Sequence, residues 1–152
     1  MALYALADLH LSTRVNKPMD VFGGAWRGYM DKLRAGLSVL REGDTLVVPG
    51  DLSWGISLEE ALEDIRRVGE LPGRKLLLRG NHDYWWSAIG RVRRALPEGM
   101  FAIQNDCIQL DGVLFAGTRG WTIPAGEHPD PDDVRIYQRE RMRLEMSLKE
   151  AR

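Results

Sequence analysis

Three short apolar runs, each ending in a cluster of polar residues, constrain the fold of this chain more than any other feature. Ala2-Leu3-Tyr4-Ala5-Leu6-Ala7 leads into Asp8-Leu9-His10, and Thr45-Leu46-Val47-Val48 into Pro49-Gly50-Asp51. Leu76-Leu77-Leu78 leads into Arg79-Gly80-Asn81-His82-Asp83. Short runs that stay apolar without alternating suit strands buried on both faces, the signature of a parallel sheet. Parallel strands all point the same way, and ligands of such sheets collect beyond their carboxyl ends. An α/β fold is therefore expected to carry these carboxylates, imidazoles and one amide to a single edge of the sheet.

The segments between the runs read as the crossovers such a sheet requires. Trp26, Met30, Leu33, Leu37 and Leu40 recur at helical spacing and predict an amphipathic helix ending near Gly43. Ser57 and Glu60 form a capping-box pattern. Leu58, Ala61, Leu62, Ile65 and Val68 then supply the apolar stripe, which Pro72-Gly73 terminates. A shorter helix is expected after Ser87, ending before Pro97. Asp111-Gly112, between two apolar segments in 107–118, is a hairpin-turn signal. Residues 124–133 read as loop and 134–152 as a charged helix.

No repeat or linker interrupts the 152 residues, so 1–152 reads as one domain. With 21 basic and 22 acidic side chains, nothing in the bulk charge draws the chain to nucleic acid or an anionic membrane. The apolar stretches are far shorter than a membrane span, and no leader-like segment opens the chain. The single cysteine, Cys107, excludes an internal disulfide and reads as a packed strand thiol. A cytoplasmic protein is the expectation.

Asp8 and His10, two residues apart beyond a strand end, are placed to turn their side chains to one ion. Mixed oxygen and nitrogen donors suit zinc, manganese or iron better than calcium. Asp51 arrives from the next strand, and its two oxygens allow it to bridge two ions. Gly50 lets the backbone come close. Asn81 offers a neutral amide oxygen. His82 is a candidate acid toward a leaving oxygen, with Asp83 as the carboxylate that orients its ring.

Each residue also has an ordinary reading. Asp is common at strand-end turns, and a histidine often only packs. What favours a metal site is the whole set. His128, in a proline-rich acidic segment, reads as solvated. Trp54, Tyr84, Trp85 and Trp86 either line a substrate pocket or form the core covering behind the metal loops, and at least two are expected in the core. Arg91, Arg93 and Arg94 read as a solvated face. Arg119 either reaches a substrate phosphate bidentately or pairs with an acid. Nucleotide-binding glycine loops and a serine-nucleophile elbow are lacking, and paired Cys-x-x-Cys zinc ligands are impossible.

In this order, Asp8-x-His10, Gly50-Asp51 and Gly80-Asn81-His82-Asp83 resemble the calcineurin-like metallophosphoesterases, and Gly117-Thr118-Arg119-Gly120-Trp121 is similar to small bacterial members. The resemblance implies an α/β/β/α sandwich with a dinuclear centre of two divalent ions: manganese, iron, zinc or nickel. It assigns Asp8 and His10 to the first metal, Asp51 to the bridge, Asn81 to the second metal and His82 to leaving-group protonation.

The family pattern continues with later histidines, including a Gly-His-x-His block. This chain holds only His10, His82 and His128. By resemblance it is the N-terminal part of such a domain, lacking the C-terminal strands and last ligand block. It is expected to hold one ion weakly at most. The implied function is metal-dependent hydrolysis of a phosphate mono- or diester, impaired in this chain. The alternative is a non-catalytic remnant that binds phosphate or a protein partner. Apolar residues at 46–48 and 76–78 are expected to lie uncovered, which would favour self-association or binding of a missing half.

Overall fold

The computed structural model describes residues 1–126 and 128–152; Glu127, within the expected loop 124–133, lies outside them. The chain divides into two compact units, Met1–Ala102 and Ile103–Arg152.

The first unit is a four-stranded sheet of β1 (Leu3–Ala5), β2 (Thr45–Val48), β3 (Arg74–Leu77) and β4 (Met100–Ala102), in that spatial order. Every pairing is parallel. The crossovers carry α1 (Tyr29–Leu37), α2 (Leu58–Gly69) and α3 (Ile89–Ala95). α2 forms where its capping box does: Ser57 accepts from the Glu60 N–H while Glu60 reaches back to the Ser57 N–H. Its Ala61, Ile65 and Val68 share one apolar core with Leu46 and Val48 of β2, Leu77 of β3 and Val92 of α3. Met30, Leu33 and Leu37 of α1 pack against that core. Helices and sheet thus share one apolar layer. Fully buried side chains such as Ile65, Val48 and Val92 each contribute about 1.5–3 kcal/mol through loss of apolar surface from water.

Several expectations are corrected. Met100–Ala102 is a fourth strand that the sequence did not announce; three residues are too few to show a period. The first long helix starts only at Tyr29, because Gly28 ahead of it is left-handed, at φ +63°. Trp26 belongs instead to a short 3-10 turn, Gly24–Trp26, preceded by another, Met19–Phe22. Leu46, Val48, Leu76 and Leu77 are all buried, not uncovered. Arg93 is more than a solvated charge: its guanidinium donates twice to the Ala102 carbonyl, at 2.9 and 2.8 Å.

The second unit holds the hairpin β5 (Cys107–Leu110) and β6 (Val113–Ala116) with the helix α4 (Pro131–Glu150). Asp111 and Gly112 both have positive φ, 50° and 81°, as the expected tight hairpin turn requires. α4 begins three residues earlier than read from the sequence. Asp130 caps it by accepting from the Asp132 N–H, and Pro131 fits the first turn, where a missing N–H costs nothing. Among the described residues no helix is long and apolar enough to cross a membrane.

Candidate metal centre

The loops that follow β1 and β2 stay paired beyond the strands. The N–H groups of Asp8, His10 and Leu11 donate to the carbonyls of Gly50, Asp51 and Leu52 at 2.9–3.1 Å. The Trp54 N–H donates back to Leu11. This extension holds Asp8 and His10 beside Asp51. All three residues are left-handed, with φ of 58°, 45° and 55°. Asp and His tolerate that region better than most residues, but it still costs about 1–2 kcal/mol each. Strain of this kind collects where function fixes the backbone.

The loop after β3 is pressed on the loop after β2 through two glycines. A Cβ on Gly50 would lie 2.6 Å from the Gly80 Cα, and one on Gly80 would collide with the Asp51 carboxylate and N–H. The close approach lets the His82 N–H donate to Asp51 Oδ1 at 2.8 Å. The other oxygen, Oδ2, lies 3.9 Å from His10 Nε2, and Asp8 Oδ1 is 3.5 Å from that same nitrogen. His10 and Asp51 are buried, while the Asp8 side chain is 63% exposed, so the group opens to solvent on the Asp8 side.

One donor atom from each of Asp8, His10 and Asp51 falls within 4.8 Å of the other two. Bonds of about 2.1 Å to a tetrahedral ion put neighbouring donors about 3.4 Å apart. The residues therefore fit a divalent ion in both donor chemistry and spacing. The His10 ring is held from outside the group. Trp54 stacks on it at 4.6 Å and 21°, and Trp26 meets it edge-on at 6.5 Å. The Tyr29 hydroxyl donates to the His10 carbonyl. Burial raises the Tyr29 pKa above the ordinary tyrosine value.

Asn81 is exposed between Gly80 and His82, at the same sheet edge as Asp8 and Asp51. The His82 ring lies 5.8 Å from that of His10, and its Nδ1 is buried with no hydrogen-bond partner. The sequence reading made Asp83 the residue that orients this ring, and the structure corrects it. Asp83 Oδ2 accepts from the N–H groups of Asp51 and Gly80, at 2.8 and 2.7 Å. Its Oδ1 accepts from the Leu52 N–H and the Trp85 indole, both at 2.9 Å. A buried carboxylate ringed by backbone donors is a clasp between two ligand loops. Burial pushes its pKa upward, against those same hydrogen bonds.

Asp64 carried no signal that drew attention, yet it is buried on α2. It accepts from the Thr13 N–H at 3.1 Å and the Ser53 hydroxyl at 2.6 Å, tying the helix to both ligand loops. The available clue was an acid three residues after Ala61 and four before Val68, inside the apolar stripe. Arg79 was also passed over; its Nε is buried without a partner one residue before Gly80. Trp85 and Trp86 are core, whereas Tyr84 is exposed and Trp54 half-buried. His128 is exposed. Arg119, in the second unit, has an acid beside it. It lies 3.9 Å from the buried Glu140 carboxylate and stacks over Trp121.

Residues 1–150 match the family model of the calcineurin-like phosphoesterases, and the chain belongs to that family. A crystal structure of a protein of unknown function from Aquifex aeolicus is 24% identical, with a TM-score of 0.54. The alignment covers 99% of this chain and 74% of that one, and the likeness carries the fold. No curated protein matches the sequence.

Proposed function

We propose that this chain uses the edge formed by its first three strands to bind a divalent metal ion and hydrolyse a phosphate ester. The observation that carries the reading is the convergence of Asp8, His10 and Asp51 donors from two paired loops, on left-handed backbone at all three positions. Asp8, His10 and Asp51 Oδ2 would hold the ion. Among the described residues, only Asp51 and Asn81 are offered to a second one, so one ion per chain is the expected stoichiometry and turnover should be modest. When bound, the metal supplies Lewis-acid stabilisation of charge on the phosphate and acidifies a water.

The chain's own residues do the rest. Asp83 and Asp64 fix the loops, so the donors need no reorganisation when the ester arrives. His82 stands one residue beyond Asn81, placed to give a proton to the departing oxygen. Arg79 brings a buried guanidinium N–H that lacks an acceptor, a need that a phosphate oxygen would meet.

The test is a calorimetric titration with manganese, alongside hydrolysis of bis(4-nitrophenyl) phosphate. The expected result is one ion per chain, with affinity falling about 100-fold or more in Asp51→Asn. Unchanged manganese affinity in that variant would refute the site.

A further inference from the structure

We propose that the segment between β1 and α1 is a docking surface for an anionic lipid bilayer. The proposal concerns attachment of the chain to a surface and does not depend on the phosphoesterase reading.

The observation is an apolar tip that the fold holds in water. The Thr13 N–H ties the start of the segment to the buried Asp64. Met19 is buried, and its sulfur accepts from the Trp54 indole at 3.2 Å. Trp26 meets the His10 ring at the other end. Between these anchors, Asp20-Val21-Phe22-Gly23-Gly24-Ala25 are all exposed, Val21 at 72% and Phe22 at 66%. Valine and phenylalanine gain more than most side chains from leaving water, yet two short turns pin them outside the core. Ile56, two residues beyond Trp54, is exposed as well.

The bulk charge of the chain is balanced, but the charge of this segment is not. Residues 12–34 hold five bases, Arg14, Lys17, Arg27, Lys32 and Arg34, against two acids, Asp20 and Asp31, in a chain of net charge -1. Asp31 lies 3.5 Å from Arg34, which leaves four bases to one acid. Three of the four stand at the tip. Lys32 donates to the Ala25 carbonyl at 3.0 Å, Lys17 lies 4.6 Å from the centre of the Trp54 ring, and Arg27 directly follows Trp26. All three are exposed. A bilayer answers both halves of this surface. Apolar side chains enter the boundary between headgroups and acyl chains, while the bases meet lipid phosphates. A single-stranded nucleic acid would use the bases but not Val21, because it binds by stacking on aromatic faces.

The experiment is flotation of the full chain, without divalent ions, on vesicles of phosphatidylcholine alone or of equimolar phosphatidylcholine and phosphatidylglycerol. The mixed vesicles should bind about tenfold or more tighter than the neutral ones, and raising salt from about 0.1 M to about 1 M should remove the difference. Val21→Ser combined with Phe22→Ser should weaken binding to mixed vesicles about tenfold or more. Arg27→Gln combined with Lys32→Gln should do the same by removing charge alone. All four side chains are exposed, so neither double variant threatens the fold. Equal binding to both kinds of vesicle, or full affinity in either double variant, would overturn the proposal. So would a single-stranded RNA that displaces the vesicles and binds the serine variant undiminished, which would make the surface one for nucleic acid. A chain that ignores mixed vesicles but still binds manganese would overturn this proposal and leave the phosphoesterase reading standing.

Discussion

The two units of this chain are held together in opposite ways. In Met1–Ala102 an apolar layer of sheet and helices carries the fold, and four of its buried polar groups, Asp51, Ser53, Asp64 and Asp83, sit in or brace the ligand loops, while Asp44, Thr45 and Lys75 are buried elsewhere. In Ile103–Arg152 the buried apolar side chains among the described residues are only Ile103 and Leu110. There a polar hub does the holding. Glu140 accepts from the Thr118 hydroxyl at 2.8 Å and from Arg143 at 2.7 Å. Ser147 accepts from the Gly117 N–H and donates to the Asp106 carbonyl, fastening α4 to both ends of the hairpin. Meanwhile Met142, Leu144, Met146 and Leu148 point to solvent. Buried polarity serves a site in one unit and replaces a core in the other.

The sharpest way to break this comparison is Asp83→Ala. It strands five hydrogen-bond donors that the carboxylate now satisfies, the Ser53 N–H at 3.5 Å among them, at about 1–3 kcal/mol for each. A loss of about 4 kcal/mol or more is expected in urea denaturation, together with loss of manganese binding. Stability near wild type would mean that the clasp is dispensable. Glu140→Ala comes next, at about 3 kcal/mol, because it breaks a buried charged hub. Hydrogen exchange should then report loss of protection in 103–152 while 1–102 keeps its own. Uniform loss across both units would erase the distinction drawn above.

A smaller effect has the opposite sign. Asp8→Gly relieves a left-handed aspartate and should stabilise the chain by up to about 1 kcal/mol while weakening manganese binding. Destabilisation would show that Asp8 serves the fold before the site. The smallest effect concerns Lys75, buried on β3, whose ammonium donates to the carbonyls of Gly69, Leu71 and Gly73. Burial lowers its pKa, with Glu42 opposing. Between that lowered value and the ordinary lysine value the unfolded chain binds more protons, so stability should rise with pH through that window. Lys75→Met should flatten this alkaline rise.

The sequence disclosed the parts of the first unit that obey a period or a motif. The runs ending at Asp8, Asp51 and Asn81 read as strands because they are short and apolar without helical spacing, and α2 because cap, stripe and stop agree. What stayed hidden depends on contacts distant in sequence. Asp64 is invisible as a strut until Thr13 and Ser53 are known to lie beside it. Asp83 was assigned to its neighbour His82, when its partners lie at 51 and 52 as well as 80 and 85. The start of α4 was missed because Pro131 looked like a loop residue rather than a first turn.

The facing pair Gly50 and Gly80 also has a consequence for descent. A Cβ on Gly50 would strike the Gly80 backbone and one on Gly80 would strike Asp51, so neither replacement can be rescued by a second one at the other glycine. Compensation would have to come from moving β2 and β3 apart, which would break the ladder that aligns them. The two positions thus form a mutational dead end, and lineages that keep this sheet inherit the distance between Asp51 and the His82 loop along with it.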